Sequence, residues 1–282
     1  MDQLPSWNTD LDFMDNRAIG FFDSGLGGLT AVSALREFMP HENIIYFGDT
    51  GRMPYGSRER SQLRMMARQN LDFLASFNVK AILAACGTMS ANATDILNAN
   101  EIPVFNVLQP SVETMSKIPG SRPLAVIATE ASIKSGAFQR ELKKLCPERE
   151  IMGIPCRKFV LLCESGHIGP QDEELKEAVE EYLRPVREAG AAAILLGCTH
   201  YGIISQAISE YLGPEVKIIS ASECAAGSLR TYLEENNLTG GDGISEYYTS
   251  GSAEEFDFLA KQIIGPTYNG SAVHVEPMPT EV

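Results

Sequence analysis

Eight short apolar runs, each followed by a stretch with helical or turn character, constrain this chain more than any other feature. They are "AIGFFD" from Ala18, "NIIYFG" from Asn43, "KAILAAC" from Lys80, "VFNVL" from Val104, "PLAVIAT" from Pro123, "AAILLGC" from Ala192, "KIISA" from Lys217 and "EYYTS" from Glu246. Runs of this length without polar alternation are what strands buried on both faces demand. Between them, Leu63, Met66, Ala67, Asn70, Leu71, Leu74 and Phe77 recur at helical spacing, and "QDEELKEAVEEYLRPVREAG" opens on acids and ends at Gly190. Repeated strand-helix units predict an α/β fold with mostly parallel sheets flanked by helices. In such sheets ligands bind beyond the carboxyl ends of the strands, so the turns that follow the strands are where function is to be sought.

Composition narrows the classes of partner. With 23 Lys and Arg against 37 Asp and Glu, the formal charge of -14 repels a phosphate backbone, so nucleic acid is not expected as a partner. No apolar stretch reaches the roughly 20 residues that cross a bilayer, so no membrane association is expected. The start, "MDQLPSWNTDLDFMDNRA", carries acids where a secretory signal would be basic and then apolar. The expectation is a cytoplasmic protein with a loosely ordered leader over residues 1–17. Six cysteines, Cys86, Cys146, Cys156, Cys163, Cys198 and Cys224, include no C-x-x-C pair and read as free thiols.

Three kinds of turn stand out. "FFDSGLGGLT" ends a strand with Asp23 and Ser24 and then supplies Gly25, Gly27 and Gly28. A phosphate-binding loop fails here, because Leu29 follows Gly28 where a P-loop needs Lys, and Thr30 stands where the dinucleotide fingerprint needs glycine. A tight turn with Asp23 capping the next helix is the plainer reading. "YFGDTGRMPYGSRE" gathers Asp49, Arg52, Tyr55 and Gly56 in a polar loop, for which an Asp-Arg ion pair is the simplest account.

The third kind occurs twice. "ILAACGTMSAN" places Cys86 at the end of a strand before Thr88 and Ser90, and "ILLGCTHYG" places Cys198, Thr199 and His200 in the same context. The two cysteines lie roughly 110 residues apart, about one domain of chain, as equivalent positions in duplicated halves would. Two such halves facing each other put one thiol on each side of a shared cleft. Inverting the α-carbon of an amino acid needs a base on one face and an acid on the other, and a thiolate opposite a thiol supplies both. Asp23 and His200 are the nearby ionisable residues that could tune them. A metal site from Cys86, Cys198 and His200 would use a C-x-H spacing that zinc sites seldom show, and a single cysteine nucleophile explains only one of the two copies.

"FFDSGLGGLT", "IIYFGDTGRMPYGSRE", "ACGTMSA", "LLGCTHY" and "YYTSGSAEEF", in this order, resemble the cofactor-independent glutamate racemases of the aspartate/glutamate racemase superfamily, over about Ile19 to Ile264. The resemblance implies two pseudo-symmetric α/β domains with the active site in the cleft between them: residues 18–110 plus 222–265, and 111–221, followed by a tail over 266–282. It implies Cys86 and Cys198 as proton donor and acceptor, assisted by Asp23 and His200. It implies a substrate shell of Asp23, Ser24, Tyr55, Gly56, Gly87, Thr88, Thr129, Ser132, Thr199 and His200, with no cofactor and no metal. It further implies a homodimer that supplies D-glutamate for peptidoglycan. A racemase for aspartate or another acidic amino acid is the alternative within enzymes, and a catalytically impaired amino-acid-binding relative the alternative outside them.

The chain departs from the family pattern at specific places. Gly87 follows Cys86 where the family reads C-N-T-A-S, so a main-chain N–H remains but an amide side chain is gone. The family's P-L-F-V appears as Arg157, Lys158, Phe159 and Val160, and its acid-Ser-Ala as Ser220, Ala221 and Ser222. No Lys or Arg lies in the cysteine or "DSG" motifs, so backbone amides and the hydroxyls of Ser24, Thr88 and Thr199 are expected to hold carboxylates.

Overall fold

The computed structural model describes residues 15–276 and 279. Among the described residues ten strands form two sheets, and every pairing within them is parallel. The first sheet takes β1 (Ile19–Asp23), β2 (Ile44–Gly48), β3 (Ala81–Ala84) and β4 (Val104–Asn106) from the front of the chain. The second is built from β5 (Leu124–Ala128), β6 (Ile151–Pro155), β7 (Ala193–Leu196) and β8 (Lys217–Ser220). The chain then returns to add β9 (Ser245–Thr249) and β10 (Ala272–His274) to the first sheet.

The strand orders are β10-β9-β2-β1-β3-β4 and β6-β5-β7-β8. Each therefore contains the same four-strand pattern, in which the first strand lies between the second and the third. β1 corresponds to β5 and β3 to β7, so Cys86, two residues beyond β3, and Cys198, two residues beyond β7, occupy equivalent places. The direction of winding reverses beside β1 and β5, and such a switch point leaves a crevice at the carboxyl ends of the strands.

Alternation along the strands explains why these runs are apolar throughout. Phe21 and Leu83 face a central layer of core that also holds Leu124, Val126 and Leu195 of the second sheet. Phe22 and Ile82 face the other way, onto Leu63, Met66, Ala67, Leu71 and Leu74 of the helix Arg60–Ala75. Ala125, Ile127 and Ile194 likewise face Leu175, Val179 and Leu183 of the helix Glu173–Glu188. That helix starts where its acids announce it, with Asp172 accepting from the Leu175 amide at 3.0 Å. The central layer is shared by both sheets, which fixes the two halves against each other.

Two strands had no clear signal. β6 and β10 are edge strands, part-buried or exposed along their length, so neither carries a continuous apolar run. β10 also lies within the span expected as a tail, where Ala272 pairs with Tyr247 and extends the first sheet. Of the expected leader, residues 1–14 lie outside the described residues; Asp15 and Arg17 form an ion pair of 2.6 Å. Among the described residues, no helix is long and apolar enough to cross a membrane.

Candidate active site

The turns after β1, β3, β5 and β7 converge on one cavity of about 110 Å³. Cys86, Thr88 and Ser24 line it from the first sheet; Thr129, Cys198, Thr199 and His200 line it from the second. Both cysteines stand immediately before a short helix, Gly87–Asn92 in one case and Thr199–Ile203 in the other. The chain thus brings its two copies of the cysteine turn to a single space, one from each sheet. The volume is well below the roughly 300–1,000 Å³ of pockets for drug-sized ligands and suits a molecule of amino-acid size.

The two thiols have different surroundings. Burial pushes the Cys86 thiol up to about 12, helped by the nearby Asp23 charge and opposed by hydrogen bonds from the Met89 amide and the Ser24 side chain. Cys86 is therefore a protonated thiol at neutral pH. Cys198 instead faces an imidazole, with Sγ 3.7 Å from Nδ1 of His200. Nε2 of the same ring contacts Glu164, the last residue of the helix Arg157–Glu164. Burial opposes charge on His200, yet the hydrogen bonds to Cys198 and Glu164 outweigh it and hold the ring well above its ordinary value. A protonated imidazole between a carboxylate and a thiol is a proton relay with both ends in hydrogen-bonding reach.

Asp23 is fully buried and does not border the cavity. Its Oδ2 accepts from the amides of Gly25 at 3.2 Å and Gly28 at 3.1 Å, and its Oδ1 lies 3.3 Å from the Thr199 hydroxyl. Burial raises its carboxyl above the ordinary range, against the pull of His200 and those two amides. The expected capping role is thus partly met: Asp23 holds the glycine turn, while Gly28, the residue before the helix Leu29–Phe38, has no side-chain cap. Through Thr199 the same carboxylate ties the turn after β1 to the turn after β7.

The other expected residues divide between the cavity wall and its support. Gly56 lines the cavity, as does Tyr55, but the Tyr55 hydroxyl is spent on Asp49 and accepts from Asn70 at 3.2 Å. Asp49 and Arg52 form a buried ion pair of 2.6 Å, and Ser250 donates to Asp49 at 2.6 Å, so the polar loop is locked from within. The Thr129 hydroxyl meets Thr88 at 2.8 Å and Ser132 at 2.9 Å, and accepts from the Ser132 amide at 3.3 Å. Ser132 is buried behind Thr129 rather than at the cavity.

Gly87 also lies behind the wall, and its reason is steric. A Cβ built there would stand 1.9 Å from the carbonyl oxygen of Gly197, so the two cysteine turns touch backbone to backbone. Gly27 repeats this at a second point, where a Cβ would stand 2.5 Å from the Thr199 hydroxyl and 2.8 Å from the His200 amide. At Gly87 the opposing atoms are backbone that cannot swing aside, and at Gly27 the His200 amide is joined by the Thr199 and His200 side chains, so a Cβ at either place would have to push the turns apart.

Sequence reasoning missed Glu164, Met53, Cys156 and Leu161, all close to the site. Glu164 did carry a signal: an acid on the last turn of a helix opposes the macrodipole and calls for a local partner, here His200. Cys163, beside it, directs its thiol at the His200 carbonyl from 3.5 Å.

Comparison with known proteins gives the family and the architecture. The model of the Asp/Glu/Hydantoin racemase family matches residues 30–229, which take in β2 to β8 and both cysteine turns. The chain belongs to that family. It is 36% identical to the glutamate racemase of Oceanobacillus iheyensis, over 88% of this chain and 92% of the relative, and 37% identical to that of Streptococcus gordonii, over 89% and 96%. The crystal structure of glutamate racemase from Francisella tularensis in complex with D-glutamate is similar at 35% identity and a TM-score of 0.84, covering 93% of this chain and 98% of that one. The chain is thus a racemase of this family in both sequence and architecture.

Proposed function

We propose that this racemase interconverts L- and D-glutamate without a cofactor, by proton transfer at the α-carbon between Cys86 and Cys198. The observation that carries this reading is the placement of two thiols, one from each half of a duplicated fold, on a single cavity of amino-acid size. In one direction a thiolate removes the α-hydrogen from one face of the carbon and the opposite thiol returns a proton to the other face; in the reverse direction the roles exchange. His200, poised between Glu164 and Cys198, exchanges the proton of Cys198, and Asp23 sits on the Cys86 side with its carboxyl held by glycine amides. Thr88, Thr129 and Thr199, with the amides that begin the two short helices, are the donors for the substrate carboxylates. The relatives named above are glutamate racemases, which favours glutamate over aspartate as the substrate. The product would feed peptidoglycan synthesis, and the working unit would be a homodimer in the cytoplasm.

The test is incubation of the pure protein with L-glutamate and L-aspartate in heavy water, followed by chiral separation and mass analysis. Appearance of D-glutamate bearing deuterium at the α-carbon supports the reading. If both substrates stay unexchanged and uninverted, it is wrong; exchange and inversion of aspartate alone would keep the mechanism and replace the substrate.

A further inference from the structure

The catalytic cavity holds few cations for an enzyme of dicarboxylates, and the chain as a whole carries a formal charge of -14. An acidic amino acid approaching such a surface is repelled unless the field is reversed locally. The reversal lies at the cavity's edge. A second pocket, of about 410 Å³, shares Gly56, Ser57, Glu130 and Arg157 with the catalytic cavity and opens beside it. Around it stand Arg58, Arg60, Lys134, Arg140 and Arg157, contributed by the loop after β2, the helix Arg60–Ala75, the helix Glu130–Ser135, the helix Ala137–Leu145 and the helix Arg157–Glu164. Only two carboxylates, Glu59 and Glu130, oppose them.

These cations are placed rather than scattered. Arg58 donates to the Arg52 carbonyl at 2.8 Å, Arg60 to the Asn92 carbonyl at 3.2 Å, and Arg140 to the Ser135 carbonyl. Each guanidinium is thereby steered by a neutral backbone oxygen that leaves its charge and its remaining N–H groups unspent. Among the described residues none of the five forms an ion pair, whereas Arg17, Arg52, Arg64 and Arg230 each do. Five uncompensated cations from five separate elements, converging on a pocket that leads into the catalytic cavity, form an anion funnel in an otherwise acidic protein.

We propose that this basic pocket is the entry subsite of the racemase, which collects the acidic amino acid by its carboxylates and passes it to the cavity between Cys86 and Cys198. The inference builds on the function proposed above. It also accounts for the absence of Lys and Arg from the cysteine motifs: attraction is provided at the mouth, where it raises local substrate concentration, and the reacting carbon is left among hydroxyls and amides.

The experiment compares kcat and KM for L-glutamate in the wild type, Lys134→Glu, Arg140→Gln and Lys134→Glu/Arg140→Glu, from low salt to about 0.5 M sodium chloride, a range over which screening shortens to a few ångströms. The expected result is a KM that rises with salt in the wild type, and a low-salt KM raised by at least about threefold in the charge-reversed double variant, which no longer responds to salt. The value of kcat should stay within twofold of wild type in every variant, which also reports that each has folded. Tripolyphosphate, used as a probe of the pocket, should compete with L-glutamate in the wild type and lose that effect in the double variant. An active wild type whose variants keep its KM and salt response overturns the entry subsite and leaves the racemase reading standing. A wild type that turns over neither glutamate nor aspartate overturns both.

Discussion

Two cysteines that look alike in sequence are chemically unlike once placed. Cys86 is held as a thiol by burial and by the Asp23 charge, whereas Cys198 faces an imidazole kept protonated by its hydrogen bonds to Cys198 itself and to Glu164. The site is therefore asymmetric even though the fold is nearly symmetric, and under the proposed two-thiol mechanism turnover would connect this protonation state with its mirror image. Cys86→Ser and Cys198→Ser should each lower kcat by about 10²–10⁴-fold, the usual worth of a positioned acid or base. Chiral separation of the products checks this, and full activity in either variant removes that cysteine from the proton path. Glu164→Gln keeps the shape of the relay but withdraws the charge that supports imidazolium. Its kcat–pH profile should lose activity at a lower pH than the wild type, because the His200 proton is held less tightly; an unmoved profile would show that Glu164 only packs. Asp23, Cys86, Cys198 and His200 were legible in the sequence because each sits at the end of an apolar strand, where the turn chemistry is local. The pairing of Glu164 with His200 was not, since the two meet across 36 residues of chain through the packing of the helix Arg157–Glu164.

At the scale of elements, the contact that decides geometry is between two turns. The turn from β3 into the helix Gly87–Asn92 rests on the Gly197 carbonyl of the turn after β7, with no room for a Cβ. The missing amide side chain at Gly87, read from sequence as a lost polar contact, is in the structure also the condition for this close approach. Gly87→Ala should force the turns apart by an ångström or more and thereby misplace the two thiols. A displacement of about 1 Å at reacting groups costs on the order of 10²-fold in rate, so kcat should collapse while the thermal midpoint, set mainly by the central core, moves little. Wild-type kcat in Gly87→Ala would mean that the turns part without consequence. Strands buried along their whole length announce themselves in sequence, such as Phe21 and Phe22 of β1 or Val126 and Ile127 of β5, and the part-buried β4, β8 and β9 were found because each keeps a run of apolar or aromatic side chains. β6 and β10 escaped because an edge strand needs no unbroken apolar run: Gly153 and Pro155 in one, His274 in the other, are tolerated where half the strand meets solvent. The helix Arg60–Ala75 was legible down to Asn70, which is buried because it serves the Arg52 and Tyr55 network.

For the whole molecule, the site's ionisable groups leave a trace in global stability. The carboxyl of Asp23, the imidazole of His200 and the thiol of Cys86 all hold their protons more tightly in the folded chain than they would unfolded. A group raised in this way contributes its full stabilisation below its unfolded value and loses it as pH rises through its folded value. The contribution of Asp23 begins to fade above its ordinary 3.8, that of His200 above 6.5, and that of Cys86 between 9.0 and about 12. The carboxylates held low by partners, Asp15, Asp95 and Asp172, titrate below this range, while the part-exposed His167 and the exposed His274, also raised, add to its slope in both the wild type and any His200 variant. Over the neutral to alkaline interval His200 dominates, and one proton can tilt the unfolding free energy by at most about 1.4 kcal/mol per pH unit. Urea unfolding at a series of pH values from 6 upward should therefore show the wild type losing stability with pH. His200→Gln, which keeps a hydrogen-bonding side chain between Cys198 and Glu164 but cannot titrate, should show a flatter curve across the same interval. Parallel slopes in the two proteins would mean that His200 sheds its proton in the fold no later than in the open chain, and the relay from Glu164 to Cys198 would then have to run through a neutral ring.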